Sequence, residues 1–281
     1  MGKGLEKIKS YFISLKWHLR KLFIIWIYFL DYKNHRDIRL TVILIKYLFL
    51  HKTNNTDLIV NTHFGKYFIR KNTMDFKMAN RAYEWKVVSI FKKECNKADL
   101  VLDIGSNSGM YGIMAAKQGI KTYAFEPITD NYNVLLNNIE LNNLNDKIIA
   151  FDFALGDSPK NAVFNFNTFN TGSASINKLK ASSEEREVKI VVFDELEIPE
   201  LKTAKNILVK MDVEGMEIPV IKGLKNLLKS NLNLVFIVET KHTSKKEIVT
   251  ELSKYANFKF KRIDDFNMLA TKKSNLINIL C

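Results

Sequence analysis

The chain has 281 residues, 47% of them hydrophobic, enough for one large domain with an accessory segment and a sizeable core. Its two cysteines, Cys95 and Cys281, exclude a disulfide framework and fit a reducing compartment, and the five scattered histidines leave no His–Cys zinc spacing. A formal charge of +13 admits nucleic acid, an anionic membrane or an acidic substrate as partner, without choosing among them.

Residues 1–50 hold ten Lys or Arg against three acids, so over half of the basic excess sits here. Apolar residues at Leu5, Ile8, Phe12, Leu15, Leu19, Leu22 and Trp26 alternate steps of three and four, which predicts an amphipathic helix. The apolar run at 22–30 is far shorter than the roughly 20 residues a spanning helix needs. The first alanine is Ala79, so no signal-peptide cleavage site precedes it, and Glu6 stands where a myristoylation site wants Ser or Thr. The segment reads first as helical cover on the rest of the chain. Two alternatives stand beside it: a basic helix in a membrane interface over residues 5–30, with Trp17, Trp26 and Tyr28 near the headgroups, or a short coiled coil between subunits. Beyond that stripe, nothing in the sequence speaks to oligomeric state. The expected location is cytoplasmic, with membrane association through this segment.

A polar stretch at 51–57 predicts a linker, two short strands follow at 58–62 and 66–70, and periodicity predicts one helix over 75–93. From there strands and helices alternate. Strands are expected at 100–104, 122–125, 148–153, 207–211 and 234–238, and helices at 110–117, 130–142, 218–228 and 245–255. That is the pattern of βαβ units on a parallel sheet. Residues 161–196 interrupt it with β-like pieces and read as an inserted hairpin or lid. The expected divisions are 1–57, a basic helical segment; 58–98, accessory strands and helix; and 99–281, the main domain.

In such a sheet ligands sit beyond the carboxyl ends of the strands. Each of the five ends carries an acid: Asp103, Glu126, Asp152, Asp212 with Glu214, and Glu239. A single acid there is usually a helix cap, but five in register exceed what capping explains. Strand one runs into VLDIGSNSG at 101–109, where Gly105 and Gly109 frame Asn107. A pyrophosphate loop wants bare backbone at the middle position; Asn107 crowds a dinucleotide there and leaves room for an amino-acid moiety. Glu126, at the end of strand two, suits two ribose hydroxyls, because one carboxylate can accept both hydrogen bonds. Together these point to S-adenosylmethionine.

The order of motifs resembles the FkbM family of S-adenosylmethionine-dependent methyltransferases. The resemblance runs from Tyr83-Glu84 through VLDIGSNSG, AFEP, ALGD, NTGSAS, VVFDEL, LVKMDVEGMEIPVIKG and VFIVET, about two-thirds of the chain, and leaves the first fifty residues outside. His242 stands three residues after Glu239, where the family often has its histidine at two, and Ser106 replaces a small apolar residue. The resemblance implies an α/β, Rossmann-like class I methyltransferase fold with a seven-stranded, mostly parallel sheet, preceded here by a helical N-terminal extension. Residues 258–271 would supply the last hairpin. It also implies O-methylation of a hydroxyl, most readily of a sugar in a glycan or glycolipid precursor. Asp103, Gly105, Asn107 and Gly109 would hold the methionine part of the donor, Glu126 the ribose, and Asp152 and Phe153 the adenine. Asp212, Glu214, Glu239 and His242 are the candidates for the base, with Asp212 or Glu239 expected to be essential. These acids could hold Mg²⁺, but a metal-free reading is preferred.

An RNA 2′-O-methyltransferase is the rival, with Asp212 and Glu239 joined by Lys222. The basic excess lies outside the core, however, and no aromatic–basic RNA motif occurs, which argues against nucleic acid. A catalytically silent, membrane-associated protein that binds S-adenosylmethionine is the rival from another class.

Overall fold

The computed structural model describes residues 19, 21–80, 82–175 and 183–274. Residues 5–18 of the predicted amphipathic stripe lie outside them, as do 176–182 of the predicted insertion and Cys281. The chain divides into two compact units, Met1–Tyr83 and Glu84–Cys281.

In the first unit, residues 21–35 form helix α1, and Arg39–Leu50 form α2. Strands β1 (Leu58–Thr62) and β2 (Gly65–Ile69) pair as an antiparallel hairpin, followed by a one-turn helix α3 (Asp75–Met78). Buried acids tie these pieces together. Asp37 accepts from the backbone N–H of Asn61 at 2.9 Å, and Asp75 accepts two side-chain hydrogen bonds from Arg70 at 2.8 and 2.9 Å. Asp31 and His35, one turn apart on α1, and His63 from the hairpin bring ligand atoms within 4.8 Å of one another. The described members of the stripe, Leu19, Leu22 and Trp26, are all more than half exposed.

The helix expected over 75–93 is two helices. After α3 the side chain of Asn80 accepts from the N–H of Ala82 at 2.8 Å, a local bond that competes with the helical ladder. The second helix, α4 (Trp85–Cys95), starts after Glu84 in the left-handed conformation, φ 44°. It buries Val87, Val88, Phe91 and Cys95, one face at helical spacing.

In the second unit the strands are β3 (Leu100–Ile104), β4 (Lys121–Phe125), β5 (Ile148–Phe151), β10 (Asn206–Met211), β11 (Asn233–Glu239), β12 (Lys259–Arg262) and β13 (Asn267–Lys272). They form one sheet in the order β12-β13-β11-β10-β3-β4-β5. β3, β4, β5, β10 and β11 pair in parallel; β13 runs antiparallel to both its neighbours, closing the hairpin expected at the C-terminal edge. All five residues of β3 and five of six in β10 are buried, as central strands covered on both faces require. The helices are α5 (Met110–Ala116), α6 (Thr129–Leu141), α7 (Glu217–Gly223), α8 (Lys225–Lys229) and α9 (Lys245–Ser253). Ser244 and Glu247 cap α9 reciprocally, fixing its start.

The helix expected over 218–228 also splits, at Leu224. Gly223 lies so close to the carbonyl of Gly156 that a Cβ there would come within 2.0 Å of its oxygen. The interruption between β5 and β10 is a four-stranded sheet rather than a lone hairpin. It orders β6 (Ala154–Leu155), β9 (Glu184–Val191), β7 (Lys160–Phe166) and β8 (Ala174–Ser175), with β7 and β9 forming the long antiparallel pair.

From β3 the chain steps outward through β4 and β5, then returns to lay β10 on the other side of β3. The reversal makes the ends of β3 and β10 the switch point, the place where open α/β sheets bind their ligands.

Candidate active site

At the end of β3 the loop takes three left-handed residues in five: Gly105 (φ 80°), Asn107 (φ 49°) and Gly109 (φ 87°). Gly105 is held on both sides. Its N–H donates to the carbonyl of Phe125 on β4 at 2.9 Å, and a Cβ on it would stand 1.9 Å from the carbonyl oxygen of Asp212 after β10. No other residue fits that approach.

Asn107 is the centre of the loop's polar bonding. Its N–H donates to Glu126 Oε2 at 2.8 Å, and its Nδ2 donates to the carbonyl of Thr171 at 2.7 Å. Its Oδ1 is buried without a partner among the described residues. Glu126 is 4% exposed and also accepts from the N–H of Ile128 at 3.0 Å, so its carboxylate pins the β3 loop to the start of the next helix. Asp103 turns the other way. It is fully buried and accepts from the N–H of Gly112 in α5 at 2.9 Å. Burial, set against the cation of Lys210, pushes its carboxyl up to about 6.

Thr171 was not singled out by pattern. Its carbonyl takes hydrogen bonds from both Asn107 and Asn131, the latter at 3.0 Å, and Ser175 Oγ donates to the carbonyl of Glu214 at 2.9 Å. The NTGSAS motif therefore spans from the glycine loop to the far strand end. On the β5 side, Phe153 is half-buried and packs against Phe151 and Phe125, ring centroids 5.0 and 6.0 Å away, while Asp152 is exposed.

Past β10 and β11 lies the acid cluster. The strand stops at Met211, so Asp212 and Glu214 do not share a strand face; Glu214 is left-handed at φ 49°. His242 Nε2 lies 2.5 Å from Glu214 Oε2, and Lys241 Nζ lies 3.9 Å from the same oxygen. Glu239 ends β11 at 8% exposure, and its Oε2 has no hydrogen-bond partner among the described residues. Burial, reinforced by the charge of Asp212, pushes Glu214 up to about 7 and Glu239 to about 9. Burial and Lys241 together lower His242, favouring the neutral ring. Glu217 caps nothing external: it accepts from the N–H of Gly215 and from Thr243 Oγ1, stitching the two loops together.

Beneath the cluster sits the lysine of the KMDVEGME motif, to which the sequence pattern assigns no role. Lys210 is 1% exposed, and the strand register sets it beside Asp103. Its Nζ lies 3.2 Å from Asp212 Oδ2 and 5.1 Å from the Tyr111 ring centre, and Tyr111 in turn donates to Glu84 at 2.7 Å. Burial works against its charge, but Asp212, Glu84 and Glu239 outweigh burial and hold its pKa above the ordinary lysine value. The available signal was a lone cation in an otherwise apolar strand, NILVKM, with an acid two residues on. Lys222, the lysine an RNA tetrad would call on, is on α7 near Glu251 of α9.

The Methyltransferase FkbM domain matches residues 103–269, more than half of the chain. The chain belongs to the FkbM methyltransferase family. As a member it is a methyltransferase dependent on S-adenosylmethionine. Among curated proteins it is similar to the hexuronic acid methyltransferase AglP of Haloferax volcanii, 29% identical over 182 residues that cover 61% of this chain and 72% of that protein. Among solved structures it is similar to the FkbM methyltransferase of Methylobacillus flagellatus, with a TM-score of 0.44 and 13% identity over 72% of this chain and 56% of that one. It is also similar to the tRNA m1G37 methyltransferase of M. jannaschii, with a TM-score of 0.46 and 13% identity over 79% and 58%. Neither structure bears on the acceptor.

The loop fits the family's donor on two observations. Asn107 Oδ1 offers a buried acceptor with nothing yet on it, suited to an ammonium group, and Glu126 places a buried carboxylate one strand away.

Proposed function

We propose that this chain O-methylates a sugar hydroxyl in a glycan or glycolipid precursor. S-adenosylmethionine supplies a methyl group already activated on a sulfonium. The chain's own task is to orient and to move a proton. Gly105, Asn107 and Gly109 hold the methionine part, with Asp103 fixing the loop from below through α5; Glu126 holds the ribose, and Phe153 with Asp152 borders the adenine. Asp212, Glu214, Glu239 and His242 face the acceptor. As the S–CH₃ bond breaks and the O–CH₃ bond forms, the hydroxyl proton passes to Asp212. Its side chain is 25% exposed, and its charge is balanced by the Lys210 ammonium beneath it. Positioning of this kind contributes several kcal/mol, and a placed base about 10²–10⁴-fold.

The observation that supports this best is the meeting of the glycine loop and the acid cluster at one switch point, through the contact of Gly105 with the Asp212 carbonyl. The sugar acceptor is supported by the hexuronic acid methyltransferase among its relatives. Transfer of labelled methyl to a panel of nucleotide sugars, lipid-linked glycans and RNA tests it. Label on sugars that is lost with Asp212→Asn, at unchanged affinity for S-adenosylhomocysteine, is expected; label on RNA alone overturns it.

The same reading includes peripheral contact with an anionic bilayer through α1 and α2. Leu22, Phe23, Trp26 and Phe29 expose one stripe on α1, and Val42, Ile45 and Phe49 expose another on α2. Both acids of this region, Asp31 and Asp37, are buried, whereas Lys33, Arg36, Arg39 and Lys46 are exposed. Apolar and aromatic residues with purely cationic surface charge suit a headgroup boundary. No described helix is long and apolar enough to cross a membrane.

A further inference from the structure

We propose that Glu214, Glu239 and His242 form a binding site for a hard divalent cation, Mg²⁺ or Mn²⁺, against which the acceptor is seated. The proposal rests on the methyltransferase reading of the site and adds a metal to it. Each residue contributes one ligand atom, and the three atoms lie within 4.8 Å of one another. That is close to twice a metal–oxygen bond of about 2.1 Å, so one ion reaches all three with small side-chain rotations.

A second observation points to the same place. Glu239 is more than nine-tenths buried, and its Oε2 has no hydrogen-bond partner among the described residues. An isolated buried carboxylate oxygen is costly, and a cation is the group that best satisfies it. The charge count agrees. Asp212, Glu214 and Glu239 crowd one end of the sheet; the buried Lys210 is bonded to Asp212 and Lys241 stands 3.9 Å from Glu214, so among the described residues neither cation is bonded to Glu239. Two carboxylates and an imidazole leave three positions open on an octahedral ion. Those are enough for a vicinal pair of sugar hydroxyls, or for a hydroxyl and the carboxylate of a uronic acid, with a water. An anionic sugar set against these acids gains a direct ligand contact through a bridging cation. Asp212, outside the ligand set and paired with Lys210, stays free to take the hydroxyl proton.

The same His242 that stands 2.5 Å from Glu214 would exchange that contact for the ion, because ligation requires the neutral ring with Nε2 unprotonated. Nitrogen ligation gives the site a signature that carboxylates alone lack.

The test uses full-length protein stripped with chelator and titrated with Mn²⁺ alone, followed by electron paramagnetic resonance. Bound Mn²⁺ is expected to show a directly coordinated ¹⁴N in the echo modulation. Glu239→Gln is expected to weaken binding at least tenfold, and His242→Ala to abolish the nitrogen coupling. Circular dichroism checks that both variants fold, and calorimetry with S-adenosylhomocysteine, without metal, reports the donor site separately. Donor binding with no Mn²⁺ uptake, or with uptake that neither substitution alters, overturns the metal site and leaves the methyltransferase reading standing. Loss of donor binding in the wild type overturns that reading instead.

Discussion

Gly105 is required by distance as well as by dihedral angle. An added Cβ would meet the Asp212 carbonyl at 1.9 Å, and both partners are backbone, so neither can rotate away. Gly105→Ala is therefore expected to cost more than about 3 kcal/mol and to abolish binding of S-adenosylhomocysteine, checked by thermal melting and calorimetry. Asp103 yields a prediction with a definite sign. Its carboxyl ionises near 3.8 in the unfolded chain and is pushed up to about 6 when folded, so the folded state keeps a proton that the unfolded state releases. The contribution of Asp103 to stability should fall as pH rises from about 4 to 6, by roughly 2–3 kcal/mol, while the raised carboxyls of Glu214 and Glu239 extend the decline to higher pH. Asp103→Asn, which can still accept from Gly112, should flatten that slope in urea melts across the same range. Lys210→Met should do the opposite of a conservative change: it strands Asp212 and Glu84 without their cation, and a loss of about 3–5 kcal/mol is expected.

At the scale of elements, the NTGSAS segment is the piece whose role depends on the fold. Thr171 presents a backbone carbonyl to two asparagine side chains, and such a bond leaves no trace in residue type at position 171. Asn131→Ala should weaken S-adenosylhomocysteine binding severalfold by loosening that segment while the glycine loop stays intact, which calorimetry would show. The parallel strands were readable because each is an apolar run bounded by a charge or glycine, and their limits differ from expectation by a residue or two. Helix continuity was less readable. The predicted helices at 75–93 and 218–228 each break, the first beside a local side-chain bond of Asn80 and the second beside the close approach of Gly223 to Gly156, and neither feature registers in periodicity. The insertion read as a hairpin because β6 and β8 are two residues each, too short for any alternation to register. The acids at the strand ends were visible one at a time. What sequence could not supply was their orientation: Asp103 faces α5, Asp152 faces solvent, and Glu214 and Glu239 meet His242.

For the whole molecule, the first fifty residues and the methyltransferase core divide the labour of charge. The α1–α2 region exposes cations and apolar stripes, and its acids are buried. Sedimentation with vesicles containing about 30% anionic lipid is expected to carry the protein down, with binding that weakens as salt rises. Trp26→Glu combined with Phe49→Glu should release it while S-adenosylhomocysteine affinity stays unchanged. Equal sedimentation of wild type and variant, or a salt-independent dimer in its place, would rule the bilayer out. Stability within the core answers to Lys210. One ammonium there serves Asp212 directly and lies in the field of Glu84, Asp103 and Glu239. Such a hub cannot be exchanged alone: a descendant sequence that traded this lysine for an uncharged residue would have to give up a neighbouring acid in the same step or soon after. Pairing Lys210→Met with Glu84→Gln should accordingly recover part of the melting temperature that either change forfeits by itself.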